Sequence, residues 1–182
     1  MIFKEKIISL KNGKECILKS PTEDDALDII NHIKQTSAET NNMLRYDSEV
    51  TITENDERKF LKSIIESKNA IMISAIVDGK IVGNAGLSPV APFKKCKHRC
   101  EFGISIKKDY WDCGIGSILI DEIINSASMA EYEQIELTVV AENQRAKLLY
   151  EKKGFQEFGK LKNFFKYTNG TYGDGIYMVK QL

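Results

Sequence analysis

The sequence predicts one α/β (α+β) domain over residues 1–182, with a mixed, mostly antiparallel sheet of about seven strands flanked by about four helices. Its 182 residues suit a single domain, and 42% hydrophobic residues can fill a sizeable core. Two helical segments and then three successive strands come before a helix, strand, helix alternation and two final strands. Three strands in a row distinguish this sheet from a doubly wound one.

The first third of the chain predicts one strand and two helices. Residues 15–20 form a short strand, and Thr22 followed by acidic residues suits a helix start. The first helix is predicted because apolar residues recur at helical spacing, and it runs to about residue 35. These residues are Ala26, Leu27, Ile29, Ile30 and Ile33. A second helix opens at residues 53–57 and carries on one face Phe60, Leu61, Ile64 and Ile65.

The middle of the chain predicts three strands that pair in succession. Residues 70–77 form a buried strand, and Asp78-Gly79 is the strongest hairpin pattern in the chain. Residues 81–90 therefore return beside it, and residues 100–106 form the next strand after a basic loop.

The last third predicts two helices and three strands. A helix starts at Gly114. Its core-facing residues are predicted to be Ile115, Ile118, Leu119, Ile123, Ala127 and Ala130. Residues 134–140 form a strand, Asn143 caps a last helix, and Gly154 ends it. Strands at residues 155–167 and 174–180, joined by a turn at 168–170, close the sheet.

Charge and cysteine content restrict the partners and the location. Lysine plus arginine equals aspartate plus glutamate, 26 against 26, so no overall field attracts nucleic acid or a membrane, and neither is predicted as a partner. The N-terminus has no signal-peptide pattern, and four scattered cysteines suit a reducing cytoplasm. Residues 96–100 offer three metal-ligand types without a fourth, so no metal is predicted.

The glycines at 114 and 116 stand between a strand and a helix, which is typical of a phosphate-binding turn. Backbone amides at a helix N-terminus point at an anion, and glycine lets the backbone approach it closely. A P-loop would need lysine after Gly116, and a dinucleotide-binding turn would need glycine at Leu119. Neither pattern is met, and tight helix packing is the alternative explanation for the glycines.

Three segments give the chain a closer likeness over residues 15–180. They are EFGISIKKDYWDCGIGS at 101–117, IELTVVAENQRAKLLYEKKGF at 135–155, and GTYGDGIYM at 170–178. With the order of elements, these segments resemble the GNAT (GCN5-related) N-acetyltransferase superfamily, in particular its small bacterial members. The resemblance implies the acyl-CoA N-acyltransferase fold and acetyl-CoA as co-substrate.

The resemblance also implies which residues hold the cofactor. Ile104, Ser105 and Ile106 would pair with the pantetheine arm as a strand does, because pantetheine carries two amides. The pyrophosphate would lie on the turn formed by Asp112, Cys113, Gly114, Ile115, Gly116 and Ser117. Asn143 would contact the cofactor as well. The chain departs from the family pattern at Trp111, where relatives carry Gln or Arg.

Two residues are predicted to carry the chemistry. In relatives the residue that matches Tyr150 sits near the thioester sulfur, so Tyr150 would stabilise the departing thiolate. An alkyl amine must lose a proton before it attacks, and Glu101 is the predicted base, directly or through water, with Glu142 as a second choice. One branch of the family carries its catalytic glutamate where this chain has Thr138, so that branch's mechanism is not transferred.

The predicted function is direct transfer of an acetyl group from acetyl-CoA to a primary amine of a small molecule, a protein or a peptide. The acceptor would meet the first two helices, the segment between them, which includes Gln35, Glu39, Thr40 and Asn41, and the final hairpin. Two alternatives stay open: a non-catalytic CoA-binding module on the same fold, and a nucleotide-phosphate binder such as a small kinase. A homodimer is left open.

Overall fold

The computed structural model describes all 182 residues and contains eight strands and four α-helices. The strands are β1 Lys6–Ser9, β2 Glu15–Lys19, β3 Ile71–Val77, β4 Lys80–Pro89, β5 Arg99–Ile106, β6 Gln134–Val140, β7 Gln156–Lys166 and β8 Tyr172–Gln181. The helices are α1 Ala26–Glu39, α2 Glu54–Glu66, α3 Ile115–Met129 and α4 Gln144–Lys152. None of these helices is both long and apolar enough to cross a membrane.

All eight strands belong to one sheet, in the order β1-β2-β3-β4-β5-β6-β8-β7. Every neighbouring pair is antiparallel except β5 and β6, which run parallel. The predicted mixed, mostly antiparallel sheet is therefore confirmed. The predicted strand number was one too low, because the four-residue strand β1 was missed.

Short turns join the hairpins as the sequence predicts. Asp78 and Gly79 have φ angles of 50° and 72°, which suit a type I′ turn between β3 and β4. Gly170, with φ of 83°, lies in the turn between β7 and β8. The same chemistry recurs at Asn12-Gly13, between β1 and β2, where Gly13 has φ of 81°. This Asn-Gly pair could have revealed β1.

The helices cover both faces of the sheet. The larger core lies between the sheet and α3, where the most deeply buried side chains include Leu119, Ile120, Ile123, Ile135 and Met178. A smaller cluster packs α1 and α2 on the opposite face through Ala26, Ile29, Leu61 and Ile81. Two residues predicted to face this cluster do not, because Leu27 is 52% exposed and Phe60 is 46% exposed.

The one parallel pair of strands separates along its length. Residues of β5 and β6 pair only from Arg99 opposite Gln134 to Glu101 opposite Glu136, although both strands continue. Each strand keeps its outer partner: β4 pairs with β5 as far as Ile106, and β8 pairs with β6 as far as Val140. The two strands therefore diverge into an opening, the β5–β6 gap, in the middle of the sheet.

Candidate functional site

A cavity of about 790 Å³ occupies the β5–β6 gap and reaches the N-terminus of α3. On the β5 side its wall consists of Gly103, Ile104, Ser105 and Ile106, and on the β6 side of Leu137, Thr138 and Val139. From Phe102 onward the edge of β5 that faces β6 has no strand partner. Its backbone groups are therefore available to an extended ligand that carries amides.

At one end of the cavity lies the glycine turn, residues 112–117, which leads into α3. The first hydrogen bond of α3 runs from the Ile118 amide to the Gly114 carbonyl. The amides of Ile115, Gly116 and Ser117 therefore have no acceptor within the helix. No side chain caps α3, whereas Thr53 caps α2 and Asn143 caps α4. This helix end can hold an anion.

The two glycines of the turn have different structural reasons. Gly114 has φ of 94°, a left-handed conformation that residues with a side chain rarely adopt. Gly116 lies in close contact with its neighbours, because a Cβ there would come within 3.2 Å of both Ile106 Cδ1 and Leu149 Cδ2. Helix packing therefore explains Gly116, while Gly114 shapes the turn itself.

Most of the residues predicted to bind the cofactor line this one cavity. They are Ile104, Ser105, Ile106, Asp112, Gly114, Ile115, Gly116, Ser117 and Asn143. Cys113 belongs to the same turn but does not line the cavity; its carbonyl accepts a hydrogen bond from the Lys11 amide. The structure thus brings the predicted set together, and the role of each residue stays a prediction.

Tyr150, on α4, reaches the cavity from the face of the sheet that α3 covers. Its ring is 8% exposed and packs against Phe102 and Phe155, with ring centroids 6.1 and 5.9 Å away. Burial raises the pKa of the Tyr150 hydroxyl to about 12. The hydroxyl therefore stays protonated through the physiological range, as a hydrogen-bond donor requires.

Asn143 stands at the start of α4, as predicted, and its side chain is partly committed. Its Oδ1 accepts a hydrogen bond from the Ala146 amide at 3.2 Å, which caps the helix. The side-chain amide group remains to face the cavity that Asn143 lines.

Glu101 lies outside this cavity. Its side chain is exposed on β5, on the same face of the strand as Gly103 and Ser105, which do line the cavity. Gly103 is directly opposite Gly86 on β4, and a Cβ added at Gly103 would meet nothing within 4 Å. An open strip of backbone therefore separates Glu101 from the gap. Glu142 is also exposed and does not line the cavity.

Three cationic side chains at the cavity were not identified from the sequence, namely Lys11, Arg145 and Lys152. Lys11 lies in the β1–β2 turn. This turn contacts the glycine turn, because the Lys11 amide donates a hydrogen bond to the Cys113 carbonyl. Arg145 directly follows the helix start and stands 4.5 Å from the ring centroid of Trp111. In the sequence, only the neighbouring Asn12-Gly13 turn could have drawn attention to Lys11. No local sequence pattern predicts the contact of Lys11 with the glycine turn.

Trp111 is the residue at which the sequence departs from the family pattern. Its indole Nε1 donates a hydrogen bond of 2.8 Å to the Ile106 carbonyl, which links the end of β5 to the glycine turn. Arg145 also forms an ion pair of 3.1 Å with Asp112, although both side chains are substantially exposed. Exposed pairs of this kind contribute little to stability. The arrangement nevertheless places a guanidinium beside the amides of the glycine turn.

No cysteine side chain lines the cavity, although Cys113 belongs to the glycine turn. All four are free, and Cys100 is fully buried, where burial raises the pKa of its thiol to about 12. No group of three or more His, Cys, Asp or Glu side chains is arranged to hold a metal ion.

Comparison with known families and proteins gives consistent matches. A family model described as an acetyltransferase (GNAT) domain matches residues 18–176. The curated L-amino acid N-acetyltransferase AaaT of Escherichia coli (strain K12) is 32% identical over 107 residues, which cover 58% of this chain and 65% of that protein. The alignment thus spans less than two thirds of the curated relative's length.

Solved structures share the whole architecture. A GNAT-family acetyltransferase from Streptococcus pneumoniae superposes with a TM-score of 0.88 at 27% identity, covering 92% of this chain and 99% of that one. An acetyltransferase from Salmonella typhimurium, solved with its cofactor acetyl-CoA, gives a TM-score of 0.80 at 14% identity. That second superposition covers 91% of this chain and 92% of the other, and it compares the fold alone.

Proposed function

Because the chain belongs to the GNAT acetyltransferase family, we propose that it transfers the acetyl group of acetyl-CoA directly to a primary amine. One observation carries the proposal: a single cavity joins the uncapped N-terminus of α3, the unpaired edge of β5 and the Tyr150 side chain. These are the features that a pyrophosphate, a pantetheine arm and a thioester sulfur would each need. The proposal takes residues 1–182 as one catalytic domain.

The donor would lie along the β5–β6 gap. Its pyrophosphate would accept hydrogen bonds from the amides of residues 115–117, with Lys11 and Arg145 adding positive charge beside them. Its pantetheine amides would pair with the open edge of β5 at residues 104–106. The structure of the acetyltransferase from Salmonella typhimurium with its cofactor acetyl-CoA supports this choice of ligand.

The acceptor would approach from the opposite face of the sheet to Tyr150. The α3 face of the gap is filled by the core side chains Phe102 and Tyr150. The α1 face instead presents the paired glycines Gly86 and Gly103, which form the glycine strip. An amine crossing this strip would reach the thioester from one face while the sulfur meets Tyr150 from the other.

In the proposed reaction the amine nitrogen forms a bond to the thioester carbon, and the carbon–sulfur bond breaks. The acceptor ammonium would first give one proton to Glu101 through water on the glycine strip, and the neutral amine would then attack. The second proton of the attacking nitrogen would pass to the CoA sulfur as the carbon–sulfur bond breaks, which leaves the amide and free CoA thiol. A backbone amide near Ile106 would stabilise the oxyanion, and Tyr150 would donate a hydrogen bond to the departing thiolate. No covalent enzyme intermediate is required.

Free amino acids are the first acceptors to test, because the relative from Escherichia coli is named an L-amino acid N-acetyltransferase. Amine-bearing peptides and other small amines form the rest of the panel. The cytoplasm is the proposed location, since a reducing environment would keep the four free cysteines as thiols.

A panel of amines assayed for CoA thiol release from acetyl-CoA tests the proposal. We expect at least one amine to release thiol together with an equal amount of N-acetylated product, identified by mass spectrometry. A non-catalytic CoA-binding module would instead bind acetyl-CoA by calorimetry and release no thiol with any amine. Replacing acetyl-CoA with propionyl-CoA identifies the native acyl group.

A further inference from the structure

Two polar side chains stand together on the α1 face of the cavity. Asn84 on β4 is directly opposite Ser105 on β5, and both line the cavity. Residues that face each other in an antiparallel pair have Cβ atoms about 5 Å apart. The two side chains can therefore contact a single small group above the sheet.

Buried partners fix the orientation of both side chains. The hydroxyl of Ser74, a fully buried residue, donates a hydrogen bond to Asn84 Oδ1 at 3.0 Å. The N–H groups of the Asn84 side chain are therefore left to face the cavity. The Nε2 atom of His32, a fully buried residue of α1, lies 2.8 Å from Ser105 Oγ. Each contact ties a cavity side chain to a fully buried residue, so both orientations are built into the fold.

The neutral tautomer of His32 that carries its proton on Nε2 donates to Ser105 Oγ. Burial, helped by the nearby Lys107 ammonium, lowers the pKa of His32 to about 4, so the ring is neutral and carries one proton. The Ile81 and Ser105 carbonyls lie near the ring, but the Nδ1 atom has no partner with hydrogen-bond geometry. We assign the proton to Nε2, because an unpaired N–H buried at Nδ1 would be the rarer arrangement.

With that assignment, Ser105 Oγ accepts from His32, and its own hydroxyl proton is free to point into the cavity. Asn84 contributes an N–H donor at the neighbouring position. Two adjacent donors complement the two oxygens of a carboxylate. The glycines Gly86 and Gly103 come next on the same face and leave room between these donors and the gap.

Resting on the proposed N-acetyltransferase activity, we propose that Ser105 and Asn84 bind the carboxylate of the acceptor, which is therefore a free α-amino acid. The carboxylate is the group next to the amine in such a molecule, so holding it would direct the nitrogen across the glycine strip. His32 is a positioning residue that acts through Ser105.

The test compares each amino acid with the amine that lacks only its carboxylate, for example leucine with 3-methylbutylamine and phenylalanine with 2-phenylethylamine. The readout is the ratio of kcat/KM for the acid to kcat/KM for the amine. We expect a ratio of at least about 10 for the wild-type protein, because a site built around a polar group rejects analogues without it. A ratio of one or less overturns the proposal.

Variants assign the selectivity to these residues. Ser105→Ala and Asn84→Ala are expected to lower the ratio by at least about 10-fold through KM for the amino acid, and Ser105→Thr is expected to restore it. His32→Leu is expected to lower it too, and the double variant with Ser105→Ala is expected to lower it no further than either single change. Ser37→Ala, also buried on α1 but outside the cavity, is the matched control with an unchanged ratio.

Each other outcome has a definite meaning. If Ser105→Ala lowers kcat equally for acid and amine, the pair stabilises the oxyanion and the proposal is wrong. If it raises only KM for acetyl-CoA, Ser105 contacts the cofactor and the proposal is again wrong. Absence of thiol release with every amine would contradict the proposed function itself, while preferential use of simple amines would contradict only the carboxylate site.

Discussion

The hydroxyl of Tyr150 is better suited to hydrogen bonding than to full proton transfer. Burial raises its pKa to about 12, whereas a free thiol has a pKa near 8.5. Transfer of the proton to the thiolate would therefore be uphill by about 5 kcal/mol. A neutral phenol that donates a hydrogen bond to the developing thiolate avoids this cost and still favours breaking of the carbon–sulfur bond.

Tyr150→Phe is predicted to lower kcat by about 100-fold, because a donor to the leaving group is lost while the ring still fills its place. The dissociation constant of acetyl-CoA, measured by calorimetry, should change little. Tyr132→Phe is the matched control, since that buried hydroxyl donates to the Asn69 carbonyl outside the cavity. Unchanged turnover in Tyr150→Phe would remove the residue from the mechanism.

Glu101→Gln is predicted to lower kcat by about 100-fold if Glu101 receives the amine proton through water. The change keeps the shape of the side chain and removes its basicity, so KM for acetyl-CoA should stay within about twofold of the wild-type value. Glu133→Gln, at another exposed glutamate remote from the cavity, serves as the control. Equal rates for the two variants would show that the base lies elsewhere.

At the scale of elements, the glycine turn could be found from the sequence, but the separate tasks of its glycines could not. A glycine before a helix predicts a left-handed turn, and Gly114 adopts one. The need for glycine at 116 depends on Ile106 and Leu149, which come from β5 and α4. Only the packing of three elements reveals that constraint.

Gly116→Val is predicted to destabilise the protein by about 1–3 kcal/mol and to raise the dissociation constant of acetyl-CoA at least 10-fold, about 1.4 kcal/mol. The added side chain would push apart the residues at the start of α3, next to the amides proposed to hold the pyrophosphate. Gly170→Ala is the control, since its φ of 83° brings backbone strain in open space. It should lose stability without losing affinity, and equal loss of affinity would contradict the assignment.

The docking of α1 on the sheet should depend on pH through His32. Its pKa is lowered to about 4 by burial first and then by Lys107, against weaker opposing effects of the Ile81 and Ser105 carbonyls and, last, of Glu39. A lowered pKa means that the unfolded chain binds the proton first, so stability is full above about pH 6.5 and falls toward pH 4. Between pH 7.5 and 5 the loss from this residue should be about 2 kcal/mol.

Urea denaturation of the wild-type protein and of His32→Leu at both pH values measures this contribution. Subtracting the loss in free energy of unfolding of the variant from that of the wild-type protein removes the contribution of the carboxylates that both proteins share. The wild-type protein should lose about 2 kcal/mol more than the variant between pH 7.5 and 5. Parallel losses in the two proteins would mean that His32 is charged in the folded state.

At the scale of the whole molecule, much of the fold could be predicted because its patterns are local. Alternation, helical spacing and the Asp78-Gly79 pair indicated seven of the eight strands and all four helices. The divergence of β5 from β6 could not be predicted, because it results from each strand keeping its outer partner. The contact of Lys11 with the glycine turn and the pairing of His32 with Ser105 are equally non-local.

The whole arrangement gives the sheet an opening with two accessible faces. One face offers Tyr150 to a leaving group, and the other offers the glycine strip and the Asn84–Ser105 pair to an acceptor. Acetyl-CoA bound between the strands would expose its carbonyl carbon to an amine from one side only. This geometry favours direct transfer over an acyl-enzyme intermediate.

A single-turnover reaction with the protein in excess over acetyl-CoA, quenched at intervals in the presence of an accepted amine, distinguishes direct transfer from an acyl-enzyme intermediate. We predict that CoA thiol and N-acetylated amine appear at the same rate and in equal amounts, while the mass of the intact protein stays unchanged throughout. An acetylated protein that forms and decays before product appears, or thiol release without N-acetylated amine, would contradict direct transfer.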